Sequence, residues 1–300
     1  GGLIAGLVAA KVADRFYRLE LPLAFAFFGG KKSIPIITFV CMIPIGLVLP
    51  VIWNALTNFL ISISFIFTAP YIGSSVYYTL NRALIPFGLH HVLASLVRFT
   101  EAGGTYMLNG QEYVGILNAT NEILFNLGPT SEYWTQLMPK LTSYLGGAQM
   151  LTTLFRVPAI GLAMYHTSYL KNRKIAKGVI LTCCLTAFLG NITEPLEFSF
   201  LFISPALFIL YCVMCGIGLL PYQLLKISIG YIRGTIFDFG IFGLLYENTH
   251  WIGLVVLGIF NFIVFYFVFK WFILKFELET PGRESFEVEE SASILLKEKN

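Results

Sequence analysis

Several ionisable side chains stand in strongly apolar stretches, where a charge costs several kcal/mol unless it has a partner or a function. A carboxylate can accept two hydroxyl groups at once, while imidazole and guanidinium groups supply donors to the same ligand. The set is therefore suited to binding a polyhydroxylated molecule such as a sugar. These residues are Arg82, His90, His91, Arg156, Glu194, Glu197 and Asp238.

The stretch Gly190-Asn-Ile-Thr-Glu-Pro-Leu-Glu-Phe198 is the most informative, because it separates two apolar runs. Gly190 is expected to end one helix, and Pro195 favours an extended Glu194 before a second helix begins at about Leu196. An acid at such a broken-helix tip can accept hydrogen bonds from a ligand. We therefore predict that Glu194 binds substrate; the alternative is that it only caps the second helix.

Other residues of the tip and of the apolar stretches are further candidates. Glu197 lies one turn inside the predicted second helix, where it would support the tip. Asn191, Thr193, His91 and Asp238 are added as possible ligand contacts.

Arg82 and His90 are eight residues apart, about 12 Å along a continuous helix. A bend at Pro86 would bring them within reach of one ligand. His90 and His91 lack nearby Cys, Asp or further His residues, so we expect neither a metal site nor a cofactor.

Composition defines the surroundings of these residues. Of 300 residues, 56% are hydrophobic and 12% are charged, against roughly 25% charged in a soluble domain. No Asp, Glu, Lys, Arg or His occurs from residue 33 to residue 81, which leaves room for two passes at about 20 residues each. A net charge of +3 argues against a nucleic-acid-binding surface. The sequence predicts an all-α, multi-pass membrane protein.

Six apolar runs predict the helices. Several contain Pro and Gly, which bilayer helices tolerate when neighbours satisfy the freed carbonyls, and the break at residues 190–195 predicts a broken hairpin. Clusters of Lys and Arg within residues 11–32, 171–177 and 270–283 place these segments and the C-terminus in the cytoplasm by the positive-inside rule. Residues 99–139 form a long polar excursion without Lys or Arg. The runs are Ile34–Trp53, Leu56–Leu80, Leu141–Tyr169, Gly178–Leu189, Phe198–Leu225 and Trp251–Phe269.

Five stretches together resemble the membrane-embedded EIIC component of the bacterial phosphoenolpyruvate-dependent sugar phosphotransferase system, in its glucose/maltose superfamily. Residues 88–104 look most like maltose and α-glucoside permeases. The matching stretches are Arg15-Phe-Tyr-Arg18, Phe27-Phe-Gly-Gly-Lys-Lys32, Pro86-Phe-Gly-Leu-His-His91, residues 190–198 and Thr280-Pro-Gly-Arg283.

The resemblance implies a dimeric permease of the bacterial plasma membrane that moves sugar inward. A cytoplasmic EIIB domain, supplied through EIIA and HPr, would phosphorylate the sugar from a phosphocysteine. The family pattern assigns sugar contacts to Glu194, His90, Arg82 and, in a re-entrant hairpin, Arg156. Glu194 or His90 would also accept the proton of the attacking hydroxyl, or would only bind the sugar.

The resemblance also predicts the domain organisation. Residues 1–278 would form the transmembrane domain, with its first helices ahead of residue 1, and residues 279–300 a cytoplasmic linker toward EIIB. The five cysteines all lie in apolar runs and lack the setting of the EIIB cysteine, so we expect none of them to carry the phosphoryl group.

Two other functions remain open from the sequence. One is an ion- or proton-coupled secondary sugar transporter, with Glu194, His90 and Asp238 as a proton relay. The other is a regulatory membrane subunit that senses sugar without transporting it.

Overall fold

The structure is a computed structural model that describes residues 2–19, 22, 29–62, 66–67 and 69–284. The predicted linker beyond residue 284, and Phe27 and Phe28 of one matching stretch, lie outside the described residues. The chain divides into two compact units, residues 1–63 and 64–300. Both are built mainly from α-helices.

The first unit contains α1 (Gly2–Phe16) and α2 (Ser33–Ser62). The runs Ile34–Trp53 and Leu56–Leu80 predict a helix break around Asn54, which is wrong because α2 continues through this residue. In apolar surroundings an unbroken helix satisfies the backbone N–H and C=O groups that a break would expose. The second predicted run, Leu56–Leu80, is also wrong as one helix, since the next helix begins only at Ile72, two residues after Pro70.

The second unit contains the remaining α-helices, several of them short. They are α3 (Ile72–Ala83), α4 (His90–Phe99), α5 (Ile116–Asn121), α6 (Glu132–Tyr144), α7 (Gly146–Met150), α8 (Val157–Thr167), α9 (Arg173–Gly190), α10 (Glu194–Leu201), α11 (Pro205–Ile217), α12 (Pro221–Leu224), α13 (Ile236–Asp238) and α14 (Trp251–Lys275). Single π-helical turns follow α5, α7 and α13 at Glu122–Leu127, Leu151–Arg156 and Phe239–Leu244.

Among the residues that the structure describes, three helical segments are long and apolar enough to cross a membrane: Gly30–Ile52, Pro205–Leu224 and Trp251–Lys275. The last agrees with the predicted run Trp251–Phe269. The run predicted from Phe198 to Leu225 is instead broken, because α10 ends at Leu201. Pro205 then starts α11, where the Ser204 side chain accepts a hydrogen bond from the backbone N–H of Leu207 at 3.3 Å.

The run predicted from Leu141 to Tyr169 spans four elements. Helix α6 ends at Tyr144, and Leu145 takes a non-helical conformation before α7 begins. A π-helical turn then connects α7 to α8. The run Gly178–Leu189 lies within the longer helix α9.

A β-hairpin departs from the all-α prediction. Strands β1 (Thr105–Leu108) and β2 (Gln111–Val114) pair antiparallel, with Leu108 opposite Gln111. The turn residues Asn109 and Gly110 both have positive φ, 48° and 80°. Asn-Gly is the strongest short sequence signal for such a two-residue turn, and the polar composition of residues 99–139 obscured it.

Two glycines allow neighbouring helical segments of the second unit to approach each other closely. A Cβ atom at Gly216 of α11 would lie 2.0 Å from Oγ1 of Thr79 in α3. A Cβ atom at Gly258 of α14 would lie 2.4 Å from the Phe155 ring. Small residues at such crossings are a general feature of packed membrane helices. The end of α3, which carries Arg82, is therefore held firmly against α11.

The chain after α14 folds back on the turn between α8 and α9. The Nη1 of Arg283 donates to the carbonyl oxygen of Thr167 at 2.8 Å, and the N–H of Tyr169 donates to that of Gly282 at 3.0 Å. Gly282 has φ 89°, and a Cβ there would lie 2.6 Å from that of Ala176. The Thr280-Pro-Gly-Arg283 stretch is thus an ordered strap in the described part of the chain.

Candidate functional site

A polar cavity of about 600 Å³ lies in the second unit. Its wall comes from the end of α3, from α4, from Gln149 of α7, from the α9–α10 connection and from loop 231–233. Cavities of about 300–1,000 Å³ are typical of small-ligand sites. The polar lining residues are Asn81, Arg82, His90, His91, Arg98, Gln149, Asn191, Thr193, Glu194, Tyr231 and Arg233.

The broken-helix tip forms one wall of this cavity. Helix α9 ends at Gly190, and Asn191 follows with φ 56° in the left-handed region. Helix α10 begins at Glu194, two residues earlier than predicted. Proline is tolerated in a first helical turn because its missing N–H would have no intrahelical partner there. Glu194 therefore belongs to the helix, and its side chain stands at the cavity wall.

Glu194 and His90 face each other across the cavity wall. The Nε2 of His90 lies 3.7 Å from Oε1 of Glu194, and their side chains are 15% and 31% exposed. In the described structure, Nδ1 of His90 and Oε2 of Glu194 are buried without a hydrogen-bond partner. A buried polar atom without a partner is costly. Both side chains therefore keep unused hydrogen-bonding capacity at the wall of the cavity.

The chain bends sharply between Arg82 and His90. Helix α3 ends at Ala83, a 3₁₀ turn spans Ile85–Phe87 and includes Pro86, and Gly88 has φ 70°. The Nδ2 of Asn81 donates to the carbonyl oxygen of His90 at 3.0 Å and holds the bend. Because of this bend, both Arg82 and His90 line the same cavity.

Arg82 lines the cavity, but most of its N–H groups donate hydrogen bonds to other side chains of the protein. Its Nη1 donates to Oε1 of Glu197 and to Oγ1 of Thr193, each at 2.9 Å. Its Nη2 donates to the Tyr78 hydroxyl at 2.5 Å. Glu197 also accepts from the Tyr211 hydroxyl at 2.6 Å. This buried ion pair joins the end of α3 to the first turn of α10 and so fixes the position of the tip.

The remaining tip candidates also line the cavity. The Nδ2 of Asn191 donates to Oε1 of Gln149 at 2.8 Å, which ties the tip to α7. Thr193 accepts the hydrogen bond from Arg82 described above. His91 is exposed, and its ring centroid lies 4.0 Å from that of His90.

Arg156 lies outside the cavity lining and is fully buried. Its Nε donates to Oδ1 of Asn261 at 3.0 Å, and its Nη1 donates to Oγ1 of Thr152 at 3.2 Å. Thr152 in turn shares a 2.7 Å hydrogen bond with the Tyr78 hydroxyl, which contacts Arg82. The structure thus connects Arg156 to the site through a chain of hydrogen bonds.

Asp238 also lies outside this cavity. Its Oδ2 accepts hydrogen bonds from the backbone N–H groups of Arg233 at 2.7 Å, of Thr235 at 3.3 Å and of Gly234. A carboxylate held in this way stabilises the loop that it closes. Asp238 therefore shapes loop 231–233, which lines the cavity.

Comparison with known proteins decides the family. The model of the family described as phosphotransferase system, EIIC, matches residues 1–216. The chain belongs to this EIIC family. The resemblance found in the five stretches is confirmed, and the three apolar segments fit a membrane protein of this family.

Two curated relatives of this EIIC chain cover most of its length. It is 36% identical over 287 residues to the maltose-specific EIICB component of the phosphotransferase system of Escherichia coli K12, covering 95% of the chain and 53% of that protein. It is 33% identical over 297 residues to the glucose-specific EIICBA component of Staphylococcus carnosus TM300, covering 97% of the chain and 42% of that protein. The chain therefore spans about half the length of these relatives.

Five polar lining residues of the EIIC chain were missed by the sequence analysis: Asn81, Arg98, Gln149, Tyr231 and Arg233. Arg98 lies seven residues after His91, so a helical-face argument places the two on one side of α4. Loop 231–233 stands between Gly230 and Gly234, which marks a turn but not its proximity to α4. Gln149 carries no sequence signal of this kind.

Proposed function

We propose that this EIIC chain binds a sugar in the 600 Å³ cavity and presents it for phosphorylation by an EIIB phosphocysteine. The observation that carries the proposal is the pair of buried, unpartnered atoms, Oε2 of Glu194 and Nδ1 of His90, at the wall of a polar cavity. A maltose-specific and a glucose-specific relative favour an α-glucoside or glucose as the sugar.

The two side chains divide the recognition of hydroxyl groups between them. The Glu194 carboxylate is an acceptor, and its two oxygens can take two hydroxyl protons. The His90 ring can donate from one nitrogen and accept at the other. The cavity wall contains further polar groups from Asn81, Gln149 and the exposed His91. This mixture of acceptors and donors suits a neutral polyol.

Phosphoryl transfer in this site needs a proton acceptor at the sugar's 6-hydroxyl. As that oxygen attacks the phosphorus, its proton passes to Glu194 or His90, and the EIIB thiolate leaves. The carboxylate and the imidazole lie 3.7 Å apart, so one hydroxyl can reach either group. In the alternative, both residues only bind the sugar and the proton leaves through water.

The wider assembly follows from the same proposal. Residues 1–278 form the transmembrane EIIC domain, in the bacterial plasma membrane and as a homodimer. Residues 279–300 lead through the cytoplasm toward EIIB, which receives its phosphoryl group from HPr through EIIA. Both relatives carry EIIB in the same chain by name. The strap at Arg283 anchors the start of this linker at the α8–α9 turn.

Uptake by proteoliposomes separates this proposal from the other candidates. We expect uptake to require phosphoenolpyruvate and the carrier proteins and to deliver sugar phosphate. Uptake of free sugar that collapses with a protonophore would contradict it and favour a secondary transporter. Sugar binding without any uptake would favour a sensor. The secondary transporter requires a proton relay through Asp238. The structure does not favour this relay, because Asp238 lies outside the cavity and its carboxylate accepts hydrogen bonds from backbone N–H groups.

Replacing each of three histidines with Ala is expected to weaken sugar binding to different extents. His90→Ala should weaken sugar binding by about tenfold, since a direct hydrogen bond contributes roughly 1–1.5 kcal/mol. His91→Ala should have a smaller effect because its ring is exposed at the rim. His166→Ala is the control, since its Nδ1 contacts the Tyr266 hydroxyl at 2.8 Å away from the cavity lining. Calorimetric titration measures all three, and equal losses would indicate misfolding.

The five cysteines of residues 1–300 are expected to be dispensable for phosphoryl transfer. None lines the cavity in the described part of the chain, and Cys212 and Cys215 are buried. A phosphoryl carrier needs an accessible thiolate in a cationic setting. Replacing all five with Ser or Ala should leave sugar phosphorylation by an EIIB donor within about twofold. If the variant binds sugar but no longer supports transfer, one of these thiols is a carrier and the proposed division of roles is wrong.

A further inference from the structure

The cavity contains more positive charge than a neutral sugar requires. Three arginines and one carboxylate line it: Arg82, Arg98, Arg233 and Glu194. Glu197 neutralises Arg82 at 2.9 Å behind the wall. In the described part of the chain, no carboxylate lies within 4 Å of the Arg98 or Arg233 guanidinium groups. Two guanidinium groups therefore remain without an acidic partner.

Arg98 is held in place for binding. Its Nη2 donates to the Tyr231 hydroxyl at 2.8 Å, and its guanidinium carbon lies 5.5 Å from the centre of that ring. Its Nε is buried and has no hydrogen-bond partner among the described residues. In the described structure, the Nη2 bond to Tyr231 is the only hydrogen bond that the Arg98 side chain donates. A guanidinium with this fixed orientation suits an anion with several oxygens.

Arg233 adds a second cation to the lining of the cavity. Its backbone N–H donates to Asp238 at 2.7 Å, and the residue is exposed and lines the cavity. Loop 231–233 thus brings both Tyr231, which orients Arg98, and Arg233 to the same wall. Asp238 holds this arrangement by closing the loop.

The proposed reaction creates an anion in this cavity. The sugar's 6-hydroxyl oxygen forms a bond to phosphorus as the phosphorus–sulfur bond of the EIIB phosphocysteine breaks. The proton leaves the hydroxyl, and the electron pair of the broken bond stays on the cysteine thiolate. A neutral sugar becomes a sugar phosphate carrying close to two negative charges at neutral pH. This anion, or the phosphoryl group in transfer, matches the charge of the unpaired arginines.

We propose that Arg98 and Arg233 form a phosphoryl-binding subsite of the cavity, distinct in ligand chemistry from the sugar contacts of Glu194 and His90. The subsite rests on the proposed function and adds to it. It stabilises the phosphoryl group during transfer and holds the sugar phosphate before release. Neutral sugar binds without needing it.

Binding of paired ligands tests the subsite. The natural full-length protein in lipid nanodiscs is titrated by calorimetry with glucose and maltose and with their 6-phosphates. In the double variant Arg98→Gln/Arg233→Gln, we expect affinity for the sugar phosphates to fall about 10- to 100-fold, as for lost charge-assisted hydrogen bonds. Affinity for the neutral sugars should stay within about threefold. Lys174→Gln, an exposed cation outside the cavity, should change neither.

The outcomes separate the subsite from the sugar site. Equal losses of both kinds of ligand in the double variant would mean that these arginines simply bind hydroxyls, and would overturn the subsite. Unchanged binding of the sugar phosphates would overturn it too. If the double variant does not fold, the exposed Arg233→Gln alone should still weaken sugar phosphate binding about fivefold. An unmodified protein that binds no sugar would refute the proposed function itself.

Discussion

Glu194→Gln is expected to weaken sugar binding roughly 30- to 1,000-fold and to abolish uptake, while the protein remains folded. The carboxylate is the only acidic group lining the cavity in the described structure, and its Oε2 has no partner. Losing a charged acceptor shared by two hydroxyls costs roughly 2–4 kcal/mol. Glutamine keeps the shape of the side chain, so the loss reports on charge and acceptor capacity. Calorimetric titration of the purified variant measures it.

A matched substitution shows whether the loss is specific. Glu101→Gln removes an exposed carboxylate that does not line the cavity, and we expect it to bind sugar as the parent does. Sugar affinity of Glu194→Gln close to that of the parent would contradict the assignment of Glu194. Such a result would leave it as a helix cap of α10.

The second large effect concerns stability. Arg82→Gln and Glu197→Gln should each lower the free energy of unfolding by about 3–5 kcal/mol, because each leaves one charge of a buried pair without its partner. The two side chains are 6% and 1% exposed, and their atoms lie 2.9 Å apart. The pair joins α3 to α10, so the tip proposed to bind sugar should loosen as well.

The apparent melting temperature in nanodiscs measures this effect, together with the fraction of protein that still binds sugar. The double variant Arg82→Gln/Glu197→Gln serves as the control, since it contains no unpaired charge and should recover part of the loss. If the single variants melt like the parent, the ion pair contributes little and the tip must be held by other contacts.

The broken-helix tip shows what sequence reasoning can reach. Gly190 and Pro195 punctuate an apolar run, and their backbone preferences are local, so the break between α9 and α10 could be predicted. The bend at Pro86 follows for the same reason. The start of α10 at Glu194 was missed by two residues, which is the usual uncertainty of helix ends.

Contacts between distant segments could not be predicted in this way. Asp238 and Arg156 were chosen because a charge in an apolar stretch needs a partner. Arg156 bonds Asn261, which lies 105 residues away, and also the nearby Thr152. Asp238 instead bonds the backbone of the residues just before it and forms a capping box with Thr235. The Thr235-x-x-Asp238 spacing is the local signal of such a capping box, whereas the contact with Asn261 has no local signal.

The break wrongly placed at Asn54 and the missed hairpin have different causes. One amide side chain in a long apolar helix does not provide the partners that a helix end needs. The Asn109-Gly110 turn was readable, but its flanking strands have only four residues each and weak alternation. Arg98 and loop 231–233 meet only through tertiary packing.

The most direct test of the account is the location of the bound sugar. A cryo-electron microscopy structure of the natural full-length protein with glucose or maltose is expected to show the sugar in the 600 Å³ cavity. At least one sugar hydroxyl should lie at hydrogen-bond distance, about 2.6–3.2 Å, from Glu194 and from His90. Sugar density at any other place, with Glu194 and His90 still facing only each other, would contradict the account.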